Sequence, residues 1–373
     1  MSTRRFIVEP RGLASPWLKL LVPVASVFAA LVVGGIFLAL TGENPFSVYS
    51  HMVDAAFGTS RSIAETLLTA TPLILTGVAA AIAFKMLVWN IGGEGQFIFG
   101  AIFAAGLAIW LGDGTPAYIA LPLVVIAGGV GGAFWASIAA VPKVYLGTNE
   151  IITTLMLNFI AINFMNYLIF GSNSPWRDPE VATFPEGRPI SEAARLPEFF
   201  ERLDVGIFIA IALAVLAWFL LGKTRWGFQV RIVGDSADTA RYAGIGVSSK
   251  ILGVFLLSGA YAGFAGGLFV AGPVGALDPR SLALGLGFTG IIVAALARLN
   301  PLAIIPVAVL MGALINAGPS LQSIGVPTAT VSMLQGAILI FAVAGEFLIQ
   351  NRIRRPEKAP KTAPSAGEEA SPA

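Results

Sequence analysis

Ten stretches of this sequence are apolar for long enough to cross a lipid bilayer, and no soluble fold has a core that could hide them all. They fall at about 17–40, 63–84, 91–111, 116–140, 150–171, 205–222, 251–272, 283–297, 301–317 and 328–349. A bilayer core of about 30 Å takes up roughly 20 residues per helical crossing. Composition agrees: 56% of the 373 residues are hydrophobic and 12% charged, against about a quarter charged in soluble domains. The sequence predicts an all-α integral membrane protein with about ten transmembrane helices. One polytopic domain over 17–350 follows a short N-terminal segment, 1–16, and precedes a tail, 351–373. That tail is proline, alanine and charge, and it is expected to be disordered. The first run is too long for a signal-peptide core and lacks a small-residue cleavage site, so it reads as a retained helix.

Several chemistries are excluded at once. The chain has no cysteine and a single histidine, His51, so it can form no disulfide, thiolate nucleophile, cysteine-based metal site or histidine cluster. No cofactor or metal is expected. Basic residues fix the orientation: seventeen of the 23 lysines and arginines fall on the side of the two termini when ten crossings are drawn, Lys85, Lys143, Arg231 and Arg298 among them. The positive-inside rule then places both termini in the cytoplasm of a multi-pass protein.

Two loops are long. The outer one, 172–204, carries four basic and seven acidic residues, which suits a solvated connector or a docking site for an external protein. The inner one, 223–250, contains a short helical piece from Ser236 to Tyr242, capped by the Asp235/Ser236 pair and stopped at Gly244. Such an amphipathic turn between spans is a handle for a cytoplasmic partner. Exact internal repeats are not visible, although five spans lie on either side of the outer loop.

Two nucleotide-binding patterns occur and both are rejected. Ala217–Thr224, "AWFLLGKT", fits a loose phosphate loop, but its residues are the last turn of a span and its inner flank. Gly285–Gly290, "GLGFTG", fits a dinucleotide fingerprint, but no βαβ unit can surround it inside an apolar run. Glycines at 259, 263 and 267 followed by Ala271, and at 128 and 132, form flat ridges suited to close helix packing in lipid.

Polar residues within spans say more, because a charge at the bilayer centre costs roughly 2.5–3.5 kcal/mol and must face protein or water. Asn90, Glu94 and Gln96 stand among Gly92, Gly93 and Gly95 at the start of the third span. Each glycine makes helix costlier by roughly 1 kcal/mol relative to alanine, so the backbone is expected to break there. Asn149 and Glu150 open the fifth span; Thr154, Asn158 and Asn166 share one face of it, with Asn163 off that stripe. Neutral amides and hydroxyls suit a solute with several hydroxyls; hydrogen bonding between helices is the competing role. No lysine, arginine or histidine lies mid-span, which leaves a proton or ion relay little material.

With those residues in view, "NIGGEGQFIFGA" (90–101), "GTNEIITTLMLNFIA" (147–161), "GDSADTARYAGI" (234–245) and "GFTGIIVAALARLNP" (287–301) make the chain resemble the membrane permease subunits of bacterial ABC importers. The family is the branched-chain amino acid/ribose permeases, in its nucleoside and simple-sugar branch. The resemblance implies a helical permease working by alternating access in the inner membrane. It also implies a second, paralogous permease, cytoplasmic ATP-binding subunits that hydrolyse ATP in its place, and an extracytoplasmic solute-binding protein. No nucleic acid partner is implied. The family's coupling segment falls on Asp235, Asp238, Arg241, Tyr242 and Gly244, and the candidate path residues are Asn90, Glu94, Gln96, Asn149, Glu150, Thr154 and Asn158. A branched-chain amino acid permease is the alternative within the class, and an ion-coupled secondary carrier the alternative outside it.

Overall fold

In lipid every backbone amide must find its partner within the protein, so apolar runs of this length can only be helices. The computed structural model describes residues 7–10, 16–171, 174–181 and 184–354. Its helices are α1 (Pro16–Leu40), α2 (Pro45–Phe57), α3 (Ser60–Phe84), α4 (Gly93–Leu111), α5 (Ala117–Leu146), α6 (Glu150–Phe170), α7 (Gly206–Lys223), α8 (Arg225–Asp235), α9 (Ala237–Tyr242), α10 (Val247–Phe269), α11 (Pro279–Leu282), α12 (Leu286–Leu296), α13 (Pro301–Gln322) and α14 (Ala329–Gln350). Ten segments among the described residues are long and apolar enough to span, and each overlaps one of the ten expected runs.

Three departures from the sequence reading have local causes. Helix α2 was not anticipated: its 13 residues are too short to span, and Asn44, accepting from the Phe46 and Ser47 amides, starts it. The eighth span is interrupted. Asp278 caps α11, and Gly285, at φ +75°, turns the chain into α12, so a half-length helix replaces the continuous one drawn over 283–297. The inner loop holds two helices rather than one: Asp235 ends α8 and Ser236 alone caps α9, accepting from the Thr239 amide.

Helices α3, α4 and α10 form the centre, with α5 across α4 and α10, and α12 and α13 against α3. The glycine ridges meet each other. Gly128 and Gly132 of α5 lie against Gly259, Gly263 and Gly267 of α10 so closely that backbone touches backbone, with no room for a Cβ at Gly132 or Gly263. Small residues are what allow such approach where lipid supplies no hydrophobic drive. Helices α1 and α14 pack on each other at the edge, and α1 turns Val24, Phe28 and Ile36 outward.

Four short strands complete the chain: β1 (Ile7–Pro10), β2 (Glu198–Phe200), β3 (Leu203–Asp204) and β4 (Asn351–Arg354). Strands β1 and β4 pair antiparallel, Ile7 opposite Arg354. The residues expected to begin a disordered tail are thus held in a two-stranded ladder, and both ends of the described chain lie on one face. The remainder of the expected tail, 355–373, and residues 1–6 and 11–15 of the N-terminal segment lie outside the described residues. With ten crossings, that face also carries α8 and α9.

On the opposite face the outer loop is stitched to the end of α10. The amides of Gly187, Ile190 and Leu196 donate to the carbonyls of Leu277, Gly275 and Ala271 at 3.1, 2.9 and 2.8 Å. Where it joins α7, Asp204 is buried, its Oδ1 accepting from the Gly206 amide at 2.7 Å. Its carboxylate presses on Gly272, inside the wide turn Val270–Val274 where the backbone leaves helical geometry. Burial pushes this carboxyl up to about 6, and Glu198 adds to the rise against the opposing Gly206 hydrogen bond.

A carboxyl raised in the folded state holds its proton better there than when unfolded, so stability falls as pH rises from about 4 through about 6. Thermal unfolding of the purified protein from pH 5 to 8 should show that loss, and Asp204→Asn, which keeps an acceptor without the charge, should flatten it. The expected gain at pH 7.5 is roughly 1–3 kcal/mol; an unaltered pH profile would count against the assignment.

Candidate functional site

Between α3 and α4 the chain runs irregularly from Lys85 to Gly92, as the glycines predicted. Leu87 adopts φ +57°, and the stretch turns back into the bundle rather than staying at its edge. The rise of the neighbouring helices gives the depth. Thr154 and Asn158 lie about 6 and 12 Å from the start of α6 on the α8–α9 face, and Ser258 lies about 16 Å from the start of α10. All three touch the irregular stretch or its side chains, so it is drawn into the bundle.

An irregular backbone at that depth leaves amides and carbonyls that helix geometry would have paired. Side chains take them up. Asn90 and Gln96 form a reciprocal amide pair, Asn90 Nδ2 to Gln96 Oε1 at 3.1 Å and Gln96 Nε2 to Asn90 Oδ1 at 2.9 Å. Asn90 also donates to Ser258 Oγ at 3.0 Å and accepts from the Gly92 amide at 3.1 Å. Ser258 Oγ in turn donates to the Ala79 carbonyl at 2.8 Å. From α6, Thr154 Oγ1 accepts from the Ile91 amide at 3.2 Å. Asn158 clamps both sides of the break, donating to the Ile91 carbonyl at 2.9 Å and accepting from the Gly95 amide at 2.8 Å. All five side chains are buried. A Cβ at Gly92 would lie 3.0 Å from both Asn90 Oδ1 and Gln96 Nε2, so this glycine makes room for the amide pair.

Glu94 points the other way, to α12. Its Oε1 accepts from the Gly285 amide at 3.0 Å and its Oε2 from the Gly287 amide at 2.7 Å. A carboxylate suits this place because the amides opening a helix carry partial positive charge. At Gly287 the backbones of α4 and α12 are in contact, with no space for a side chain. The pattern rejected as a dinucleotide fingerprint does therefore hold a carboxyl group on its glycine amides, and the group is the protein's own Glu94. The other end of α12 is tied as well: Arg298 makes a two-pronged pair with Glu346 of α14 at 2.8 and 3.1 Å.

The remaining expected residues occupy the α8–α9 face. Asn149 caps α6 by accepting from the Ile151 and Ile152 amides, and Glu150 pairs with Lys143 at 2.7 Å, bracing the turn between α5 and α6. Asn166 is half-buried further along α6, and Asn163 is exposed, donating to its own helix. In the inner loop Asp238 and Arg241 pair at 2.7 Å, and Tyr242 is 94% exposed. Gly244, at φ +73°, ends the segment. Asp235 is exposed at the end of α8. One residue before it, Gly234 packs on the backbone of Lys85 and Met86, where a Cβ would lie 3.0 Å from either. The inner loop therefore rests directly on the start of the re-entrant stretch. Burial holds the Lys85 amine below the usual lysine range, with Arg231 of α8 adding to the effect.

Sequence reasoning missed Ser258, Gly285 and Gly287 as members of this site. A lone serine in an apolar helix carries no signal, and the glycines pointed to packing.

Residues 62–343 match the family model described as the permease component of the branched-chain amino acid transport system. The chain belongs to that permease family. It is 34% identical to the glucose ABC transporter permease protein of Haloferax volcanii over 93% of each chain. It is 33% identical to the guanosine ABC transporter permease protein of Bacillus subtilis, covering 89% of this chain and 94% of that one. A nucleoside ABC transporter permease protein of Lactococcus lactis is also 33% identical, over 89% and 92%. As a permease subunit of an ABC transporter the chain is a multi-pass plasma-membrane protein and not itself an enzyme; ATP-binding subunits are its partners in the family.

Replacing Glu94 tests the tie to α12. Glu94→Ala strands two buried amides and should cost roughly 2–4 kcal/mol of stability, and Glu94→Gln, which leaves one acceptor, about half of that. Thermal unfolding in detergent reads the difference; equal unfolding temperatures for the wild type and both variants would refute the tie.

Proposed function

We propose that this chain is one of two paralogous permeases in an ABC importer for a nucleoside or simple sugar. An extracytoplasmic solute-binding protein delivers the cargo, and both termini face the cytoplasm. One observation carries the solute class: the polar cluster at the break is built from amides, hydroxyls and a single carboxylate, with no cation in it among the described residues. Such groups donate to and accept from the hydroxyls of a sugar ring without demanding a counter-charge. A zwitterionic amino acid would call for a base opposite its carboxylate. Relatives named for glucose, guanosine and nucleosides support the same reading.

In this reading Asn90, Glu94, Gln96, Thr154 and Asn158 lie along the path, with Asn149 and Glu150 at its cytoplasmic mouth. The segment Asp235–Gly244 is the lever on which the ATP-binding subunits act. Its contact through Gly234 with Lys85 and Met86 gives a push on α9 a short mechanical route to the break. Movement there loads the Glu94 bonds, and so shifts the half-helix α12. Alternating access then consists of breaking and remaking one polar cluster rather than tilting whole spans.

Proteoliposomes containing the complete importer should take up labelled guanosine or glucose with ATP. The double change Arg241→Ala and Tyr242→Ala should lower uptake at least fivefold and reduce co-purification of the ATP-binding subunits, at unchanged unfolding temperature. Normal uptake and co-purification would sink the lever. Uptake by this chain alone under a proton or sodium gradient would overturn the ABC reading, and selective uptake of leucine would move the solute to the amino acid class.

A further inference from the structure

Hydrogen-bond accounting separates the residues at the break. Both donors and the acceptor of Asn90 are engaged, Gln96 is locked to it, and Thr154 and Asn158 hold backbone groups. The cluster is closed on itself. One polar group beside it is not: the indole Nε1 of Trp135 is buried without a hydrogen-bond partner, in a side chain 7% exposed. Buried donors are almost always paired, and one that is not calls for a specific reason.

Position supplies the reason. Trp135 lies on α5 about 16 Å from its end on the α8–α9 face, inside the bundle where α5 meets α4 and α6. Its Nε1 lies at the seam between α4 and α6. The point where a Gly95 Cβ would stand is 2.7 Å from Nε1 and 3.0 Å from Asn158 Oδ1. The ring cannot swing freely, because it stacks on Phe99 with centroids 3.6 Å apart and planes 13° apart, and Phe99 faces Phe164 at 5.5 Å and 16°. The result is a fixed donor on the edge of an aromatic wall. That combination recognises a sugar-bearing solute: its C–H face or base lies on aromatic rings, and its hydroxyl or ring acceptor takes the N–H.

We propose that Trp135 is a solute-contacting residue of the path, donating its indole N–H to an acceptor on the sugar or nucleoside as α4 and α6 part. This rests on the import reading above. It also orders the contacts: the amides hold the backbone at rest and reach the cargo only once the cluster opens, whereas the indole beside them has a donor to offer from the start.

Trp135→Phe keeps an aromatic ring against Phe99 and removes the N–H together with part of the indole's volume. In proteoliposomes holding the complete importer, with guanosine and glucose as probes, it should lower uptake of the imported probe five- to tenfold. Basal ATP hydrolysis should stay at the wild-type value, the smaller ring should lower the unfolding temperature without probe only modestly, and the rise in unfolding temperature given by saturating probe should shrink. Uptake equal to wild type overturns the proposal. So does a loss of uptake accompanied by equal losses of basal hydrolysis and thermal stability, which would make the indole a packing residue. If the wild-type importer takes up neither probe, the import reading falls and this assignment with it; uptake by the wild type with no effect of Trp135→Phe removes this assignment alone.

Discussion

Irregular backbone inside a bilayer persists only when its amides and carbonyls have partners, and in this protein Asn90, Thr154 and Asn158 bond it directly at one place. Asn90, Gln96, Thr154, Asn158 and Ser258 close the break between α3 and α4, and Glu94 carries the connection on to the opening amides of α12. Remove these bonds and several backbone groups are stranded at a depth where water is scarce, each at a cost of several kcal/mol. The close glycine crossings of α5 and α10 bring the surrounding helices near enough for the short side chains of Ser258 and Asn158 to reach the break. Packing and polar satisfaction thus depend on each other.

The same bonds give the molecule a mechanical order. Helix α8 rests on Lys85 and Met86, the re-entrant stretch leads to Glu94, and Glu94 grips α12, whose far end is pinned to α14 by Arg298. Helix α12, 11 residues long, is held at both ends by side chains of other helices or their flanks. Side-chain hydrogen bonds between helices in membranes are modest, commonly near 0.6 kcal/mol.

Much of this was legible in the sequence because lipid makes length and polarity decisive. The ten spans follow from apolar runs alone, the break from three glycines around Glu94, and the flat ridges for close packing from glycines spaced by four, although not that the two ridges meet. Other features carried no such mark. Helix α2 lies outside the apolar runs, where only its Asn44 cap hints at a start. The interruption before α12 rests on Gly285 adopting a left-handed turn, and the glycines around it are equally at home in a packed helix. The partner of Glu94 was hidden because Gly285 and Gly287 are distant in sequence and act through backbone amides, which every residue but proline possesses. Trp135 resembles any core aromatic until its unpaired nitrogen is seen beside Asn158.

Hydrogen–deuterium exchange of the intact protein in lipid nanodiscs tests the central claim most directly. If side chains satisfy the re-entrant backbone, peptides covering 85–96 and 283–288 will exchange as slowly as those from the middle of α10, although neither is continuous helix. Exchange there as fast as in the exposed turns of the outer loop would show the break to be open to water at rest and would contradict the account.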